Sequence, residues 1–123
     1  MIYFKLNEFN CRCRRCRMPP EAVQNIEALV DNVLDPARER LGRPIMVNSG
    51  YRCPIHNRKV GGVANSQHLK GEAADITAGS PDGNAQLVQI IKALGKYDQL
   101  IIYPNFIHMS WRRDGGNRRI VRY

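Results

Sequence analysis

Long apolar runs are missing from this chain, and no stretch is apolar for the length that a membrane span requires. That excludes a transmembrane helix. A basic-then-apolar leader is also missing, since the chain begins Met1-Ile2-Tyr3-Phe4-Lys5. The expectation is a protein that stays in the cytoplasm until it is released, by lysis for example, or that leaves by a route not written in the chain. Acidic residues are scarce, 11 against 19 Lys and Arg, which gives a net charge of +8. Much of the positive charge sits at the two ends, at Arg12, Arg14, Arg15 and Arg17 and again at Arg112, Arg113, Arg118, Arg119 and Arg122. Such a surface is drawn to a polyanion. Aromatic residues are few, at 7%, and no nucleic-acid motif with the expected spacing accompanies the charge. An anionic cell wall or membrane surface is therefore the expected partner, rather than a specific nucleic acid.

What is present is ordinary for one globular domain. The 123 residues are 43% apolar and 24% charged, long enough to bury a modest core without disulfides. We expect a single domain over 1–123, with a Cys/Arg-rich segment at 1–18 and a basic tail at 112–123. The four cysteines are Cys11, Cys13, Cys16 and Cys53. Their Cys-x-Cys-x-x-Cys spacing differs from the paired Cys-x-x-Cys of common zinc sites, and leaves a metal, a disulfide or free thiols open.

Pro19-Pro20-Glu21 starts a helix, and apolar residues recur at helical spacing from Glu21 to Leu41, with Pro36 as a kink and Gly42 as the stop. Pro44 to Ser49 reads as a short buried strand, residues 55–60 as one helical turn, and Ala73 to Thr77 as a second strand. Pro81-Asp82-Gly83-Asn84 reads as a turn before a helix over Ala85 to Leu94. Gln99 to Tyr103 and Phe106 to Trp111 form an antiparallel hairpin, and Ile120-Val121 an edge strand. The order predicts an α+β fold, a small mainly antiparallel sheet with helices packed on it.

Histidine is the scarcest chemistry-bearing residue, at three per chain. His68 falls in Ser66-Gln67-His68-Leu69-Lys70-Gly71-Glu72-Ala73-Ala74-Asp75, and His108 in Phe106-Ile107-His108-Met109-Ser110. Two imidazoles and a carboxylate are the ligand types of a catalytic zinc that keeps a position for water. Asp75 begins an apolar strand, where a carboxylate is costly unless a metal or hydrogen bonds compensate it. Strand alternation puts Phe106, His108 and Ser110 on one face, with Ile107 and Met109 on the other.

These segments, together with Ser49-Gly50-Tyr51-Arg52, Asn57, Val60-Gly61-Gly62 and Asp98-Gln99-Leu100-Ile101, resemble the M15 peptidases. That family comprises zinc D-Ala-D-Ala carboxypeptidases and L-alanyl-D-glutamate endopeptidases, and the likeness is to its small phage-like members. Hedgehog signalling domains share the scaffold. The resemblance implies a zinc peptidase acting on the peptidoglycan stem peptide, with His68, Asp75 and His108 as ligands of Zn²⁺. It implies that Arg52 binds the substrate carbonyl or carboxylate and stabilises the oxyanion, and that Ser66 and Ser110 orient ligands. Many relatives carry an acidic residue, or a second His, shortly before the last His as general base. Here Phe106, Asn105 and Ile102 stand at those positions, and Tyr103, Asp98 and Glu72 are the nearest polar candidates. Of these, Tyr103 and Asp98 join Arg52 as catalytic candidates, and Glu72 is expected to face solvent. The alternative is a catalytically weak or inactive zinc-containing module that binds the cell wall. A monomer is expected.

Overall fold

Proline at the first position of a helix loses no hydrogen bond, and its φ is already helical. Pro20 uses this to open α1 (Pro20–Leu29), with Glu21 in the first turn facing the positive end of the dipole. The computed structural model describes residues 1–123. It shows the run from Glu21 to Leu41 as helical throughout but in three pieces: α1, a π-helical turn over Val30–Leu34, and α2 (Asp35–Leu41). Pro36 is the physical reason. Its ring crowds the preceding turn and it has no N–H for the carbonyl four residues back. The turn widens instead, and Asp35 N–H donates to Val30 O, five residues back. Ile26, Leu29, Val30, Val33, Leu34 and Ala37 remain fully buried across the junction. Gly42 ends α2 with a φ of +75°.

The sheet has the order β1-β2-β4-β3-β5, with β1 (Met46–Ser49), β2 (Ala73–Thr77), β3 (Gln99–Ile102), β4 (Ile107–Ser110) and β5 (Arg119–Arg122). The pairings are antiparallel except β3 with β5, which is parallel. The predicted α+β class, the β3–β4 hairpin and the edge strand near Ile120 are all present. Two local expectations are corrected. The first strand is an edge strand, alternating exposed and half-buried, because only β2 pairs with it. Pro81 to Asn84 is the first turn of α4 (Pro81–Leu94), since Ser80 Oγ accepts from Gly83 N–H at 3.0 Å and Pro81 takes the first helical position.

The core lies on one face of the sheet. Ile76, Leu100, Ile107 and Met109 meet Leu87, Val88 and Ile91 of α4 and the buried stripe of α1 and α2 there. The other face of β2 and β4 carries Asp75 and His108, which are cross-strand partners. A bulge between Val47 and Ser49 in β1 brings Ser49 opposite Asp75.

Gly71 ends a 3₁₀ turn, Gln67–Lys70, that precedes β2. Its φ is +73°, and a Cβ there would lie 2.5 Å from the Ala22 carbonyl of α1. Glycine is what lets this turn, with His68 in it, seat against α1, where Asn25 Nδ2 also donates to Lys70 O at 2.9 Å. Gly71→Ala is expected to cost about 2 kcal/mol or more, a melting temperature lower by roughly 5–10 °C in thermal denaturation.

Candidate active site

Three elements bring three side chains to one point. Asp75 and His108 face each other across β2 and β4, and His68 comes from the 3₁₀ turn, where its own N–H donates to Ser66 Oγ. His108 Nδ1 lies 2.9 Å from Asp75 Oδ1, His68 Nε2 lies 3.3 Å from the same oxygen, and the two ring nitrogens are 3.2 Å apart. Ligand bonds of about 2.0–2.1 Å in a tetrahedron put donor atoms about 3.3 Å apart, so this triangle fits one face of a zinc coordination sphere. His68 is 1% exposed, and its Nδ1 meets the Gly50 carbonyl at 2.7 Å. A carbonyl only accepts, so the proton sits on Nδ1 and the Nε2 lone pair is left for a metal.

Burial alone would push the Asp75 carboxyl up. The two imidazoles beside it, His108 first and then His68, outweigh burial and hold the group well below the usual carboxylate range. Its second oxygen is taken by Arg52, with Nη2 to Oδ2 at 3.3 Å. Arg52 is itself held, by Ser49 Oγ on Nε and by Asn57 Oδ1 on Nη1, both at 3.3 Å. Asn57 is buried in α3 (Pro54–Lys59), and its Nδ2 donates to Val63 O at 2.9 Å.

The triad and Arg52 lie along a cleft of about 820 Å³ with mainly polar walls. Tyr103 lines it too, stacked between Phe106 at 4.5 Å and Tyr123 at 5.2 Å between ring centroids. Burial and the neighbouring Tyr123 and Asp75 charges push the Tyr103 hydroxyl up, so it stays protonated. Asp98 lies at the cleft but is 3% exposed, and its Oδ1 accepts from Asn117 N–H at 2.9 Å.

The structure places Arg52, Ser66, His68, Asp75, Asp98, Tyr103 and His108 along one cleft, while two expectations change. Ser110 Oγ accepts from Gln99 N–H at 3.1 Å, so its hydroxyl ties β4 to β3 instead of orienting a ligand. Glu72 is half-buried in the cleft wall, not turned to solvent, and burial raises its pKa. The Gly50 carbonyl and the role of Asn57 were missed. A backbone acceptor leaves no side-chain signature, whereas Asn57 stood in the motif without a geometric reason. His56, on α3, takes no part in the triad.

The sequence profile of the Peptidase M15 family matches residues 2–110. The chain belongs to the M15 peptidases. A 48-residue part of this M15 chain, 38% of it, is 48% identical to the zinc D-Ala-D-Ala carboxypeptidase of Streptomyces albus G, and spans 19% of that protein. The fold is similar to that of the L-Ala D-Glu endopeptidase ChiX of Serratia marcescens. The TM-score is 0.57 at 17% identity, covering 84% of this chain and 96% of that one.

Proposed function

We propose that this M15 chain is a zinc-dependent peptidase that hydrolyses a peptide bond of the peptidoglycan stem, one that involves a D-amino acid. The observation that carries the reading is the two-histidine, one-carboxylate triangle at the floor of an open polar cleft, with a guanidinium beside it. A zinc held only for structure is closed by protein ligands and has no need of an open cleft.

His68, Asp75 and His108 would hold the ion. When bound, zinc polarises the scissile carbonyl and makes water a nucleophile near neutral pH. Arg52, fixed by Ser49 and Asn57, offers its fork to the substrate carbonyl or carboxylate and to the charge that develops on it. Lys70 and Arg112 line the same cleft and suit the carboxylates of an anionic peptide. Tyr103, protonated, donates a hydrogen bond to the oxyanion. Asp98 holds the cleft wall in place, since its backbone and side chain tie β3 to β4 and to the segment before β5. Tyr103→Phe should lower kcat by about 10-fold or more with zinc content unchanged. An unchanged kcat would remove the hydroxyl from the mechanism.

One observation favours a second reading, a wall-binding module with weak or no turnover. The cluster at the triad contains a single carboxylate, Asp75, and as a ligand it has no freedom to take a proton. The +8 charge would still draw the chain to an anionic wall. Mass analysis of peptidoglycan incubated with the zinc-loaded protein separates the readings. A peptidase leaves stems shortened by D-alanine or cut within the peptide. A binding module sediments with the wall and leaves every stem intact.

A further inference from the structure

Nothing in the peptidase reading uses the four cysteines, yet the fold gathers them. Cys11, Cys13 and Cys16 come from the segment between a 3₁₀ turn at Leu6–Phe9 and α1. Cys53 comes from the residue that caps α3, some forty positions on. Their sulfurs all lie within 4.8 Å of one another. We infer that Cys11, Cys13, Cys16 and Cys53 form a second, structural metal site, a tetrathiolate that takes Zn²⁺ and staples the N-terminal segment to the loop carrying Arg52.

The geometry suits an ion better than disulfides. Zinc–sulfur bonds of about 2.3 Å in a tetrahedron put sulfurs about 3.8 Å apart, whereas a disulfide needs about 2.05 Å. The Cys13 and Cys16 sulfurs are 3.3 Å apart, and those of Cys13 and Cys53 are 4.0 Å apart. No pair is bonded. The backbone is also arranged for thiolates. Arg15 N–H points at Cys13 Sγ, Cys53 N–H at Cys11 Sγ and His56 N–H at Cys53 Sγ, each at 3.4 Å. Such donors orient sulfur ligands and offset their charge. Arg14, between Cys13 and Cys16, has a φ of +61°, a conformation that costs energy in a non-glycine residue and folds the Cys-x-x-Cys turn back on itself.

The charge balances as well. Binding one divalent ion exchanges four S–H protons, released to solvent, for four metal–sulfur bonds, and leaves two net negative charges on the cluster. Arg12, Arg14, Arg15 and Arg17 alternate with the cysteines along the same segment. Arg12 is anchored as well, its guanidinium donating to the carbonyls of Glu8, Asn10, Val47 and Asn48. Part of the basic N-terminus is thereby explained without a polyanion. Cys53 directly follows Arg52 and caps the helix that holds Asn57, so the staple fixes the frame in which Arg52 is aimed.

The site stands apart from the peptidase reading, and its test does not use activity. The metal-free, reduced full chain is loaded with Co²⁺ and its absorption read. Intense sulfur-to-metal charge-transfer bands are expected in wild type. They should persist in His68→Ala/His108→Ala and vanish in Cys13→Ser/Cys16→Ser. Zinc content should be about two per chain in wild type and about one in either double variant. A thiol count on wild type needs no variant to fold. As isolated under reducing conditions, all four thiols should be protected from reagent until a chelator is added. Absence of charge-transfer bands in the Co²⁺-loaded wild type, or thiols that react freely without chelator, would overturn the site.

Discussion

Replacing His108 with alanine is expected to lower peptidoglycan hydrolysis by roughly 10³-fold or more, about 4 kcal/mol on the barrier. The same change should remove zinc from the triad. His108 supplies one of three donor atoms, and a metal held by the remaining two is lost readily. The fold should survive. His108 is only partly buried on the cleft face of β4, while its neighbours Ile107 and Met109 fill the core from the other face. Circular dichroism and thermal denaturation, run beside metal analysis, check this. A variant that is folded, inactive and short of the triad's zinc relative to wild type is the expected result. A folded variant that keeps both zinc and activity would remove His108 from the site.

Arg52→Ala is expected to lower kcat/KM by about 10²–10³-fold, about 3–4 kcal/mol, the size of the loss when one oxyanion donor is removed. Zinc should stay bound, because Arg52 touches the Asp75 oxygen that faces away from the histidines. Arg52→Lys should recover little. Nε, Nη1 and Nη2 each have a partner, Ser49, Asn57 and Asp75, and an ammonium cannot reproduce that fork. Steady-state kinetics with metal analysis read both arms. Full activity in Arg52→Lys would show that only the charge matters.

Much of this arrangement was legible in the residues. Strand alternation placed His108 opposite the core pair Ile107 and Met109, and the cost of a carboxylate in an apolar strand marked Asp75. What escaped was mostly backbone. The Gly50 carbonyl that sets the His68 tautomer and the Val47/Ser49 bulge that brings Ser49 to Arg52 are main-chain features, which no side-chain pattern announces. Periodicity was equally blind to the π-helical turn before Pro36, since a proline predicts a disturbance but not whether the helix bends, breaks or widens. The N-terminus of α4 was missed because Pro-Asp-Gly-Asn has turn chemistry, and Ser80 as a cap turned the same residues into a first helical turn. Glu72 was misplaced because the contact that draws it into the cleft wall, Trp111 N–H on the Glu72 carbonyl, joins residues far apart in sequence.

The central claim is that the triad makes this chain a metal-dependent peptidase. Its most direct test is zinc titration of the metal-free protein on purified peptidoglycan, with release of peptide fragments or D-alanine followed by mass spectrometry. The account predicts that the metal-free chain is silent, and that release appears as the triad fills and stops rising once it is full. Zinc bound at His68, Asp75 and His108 with every stem peptide left intact would contradict it.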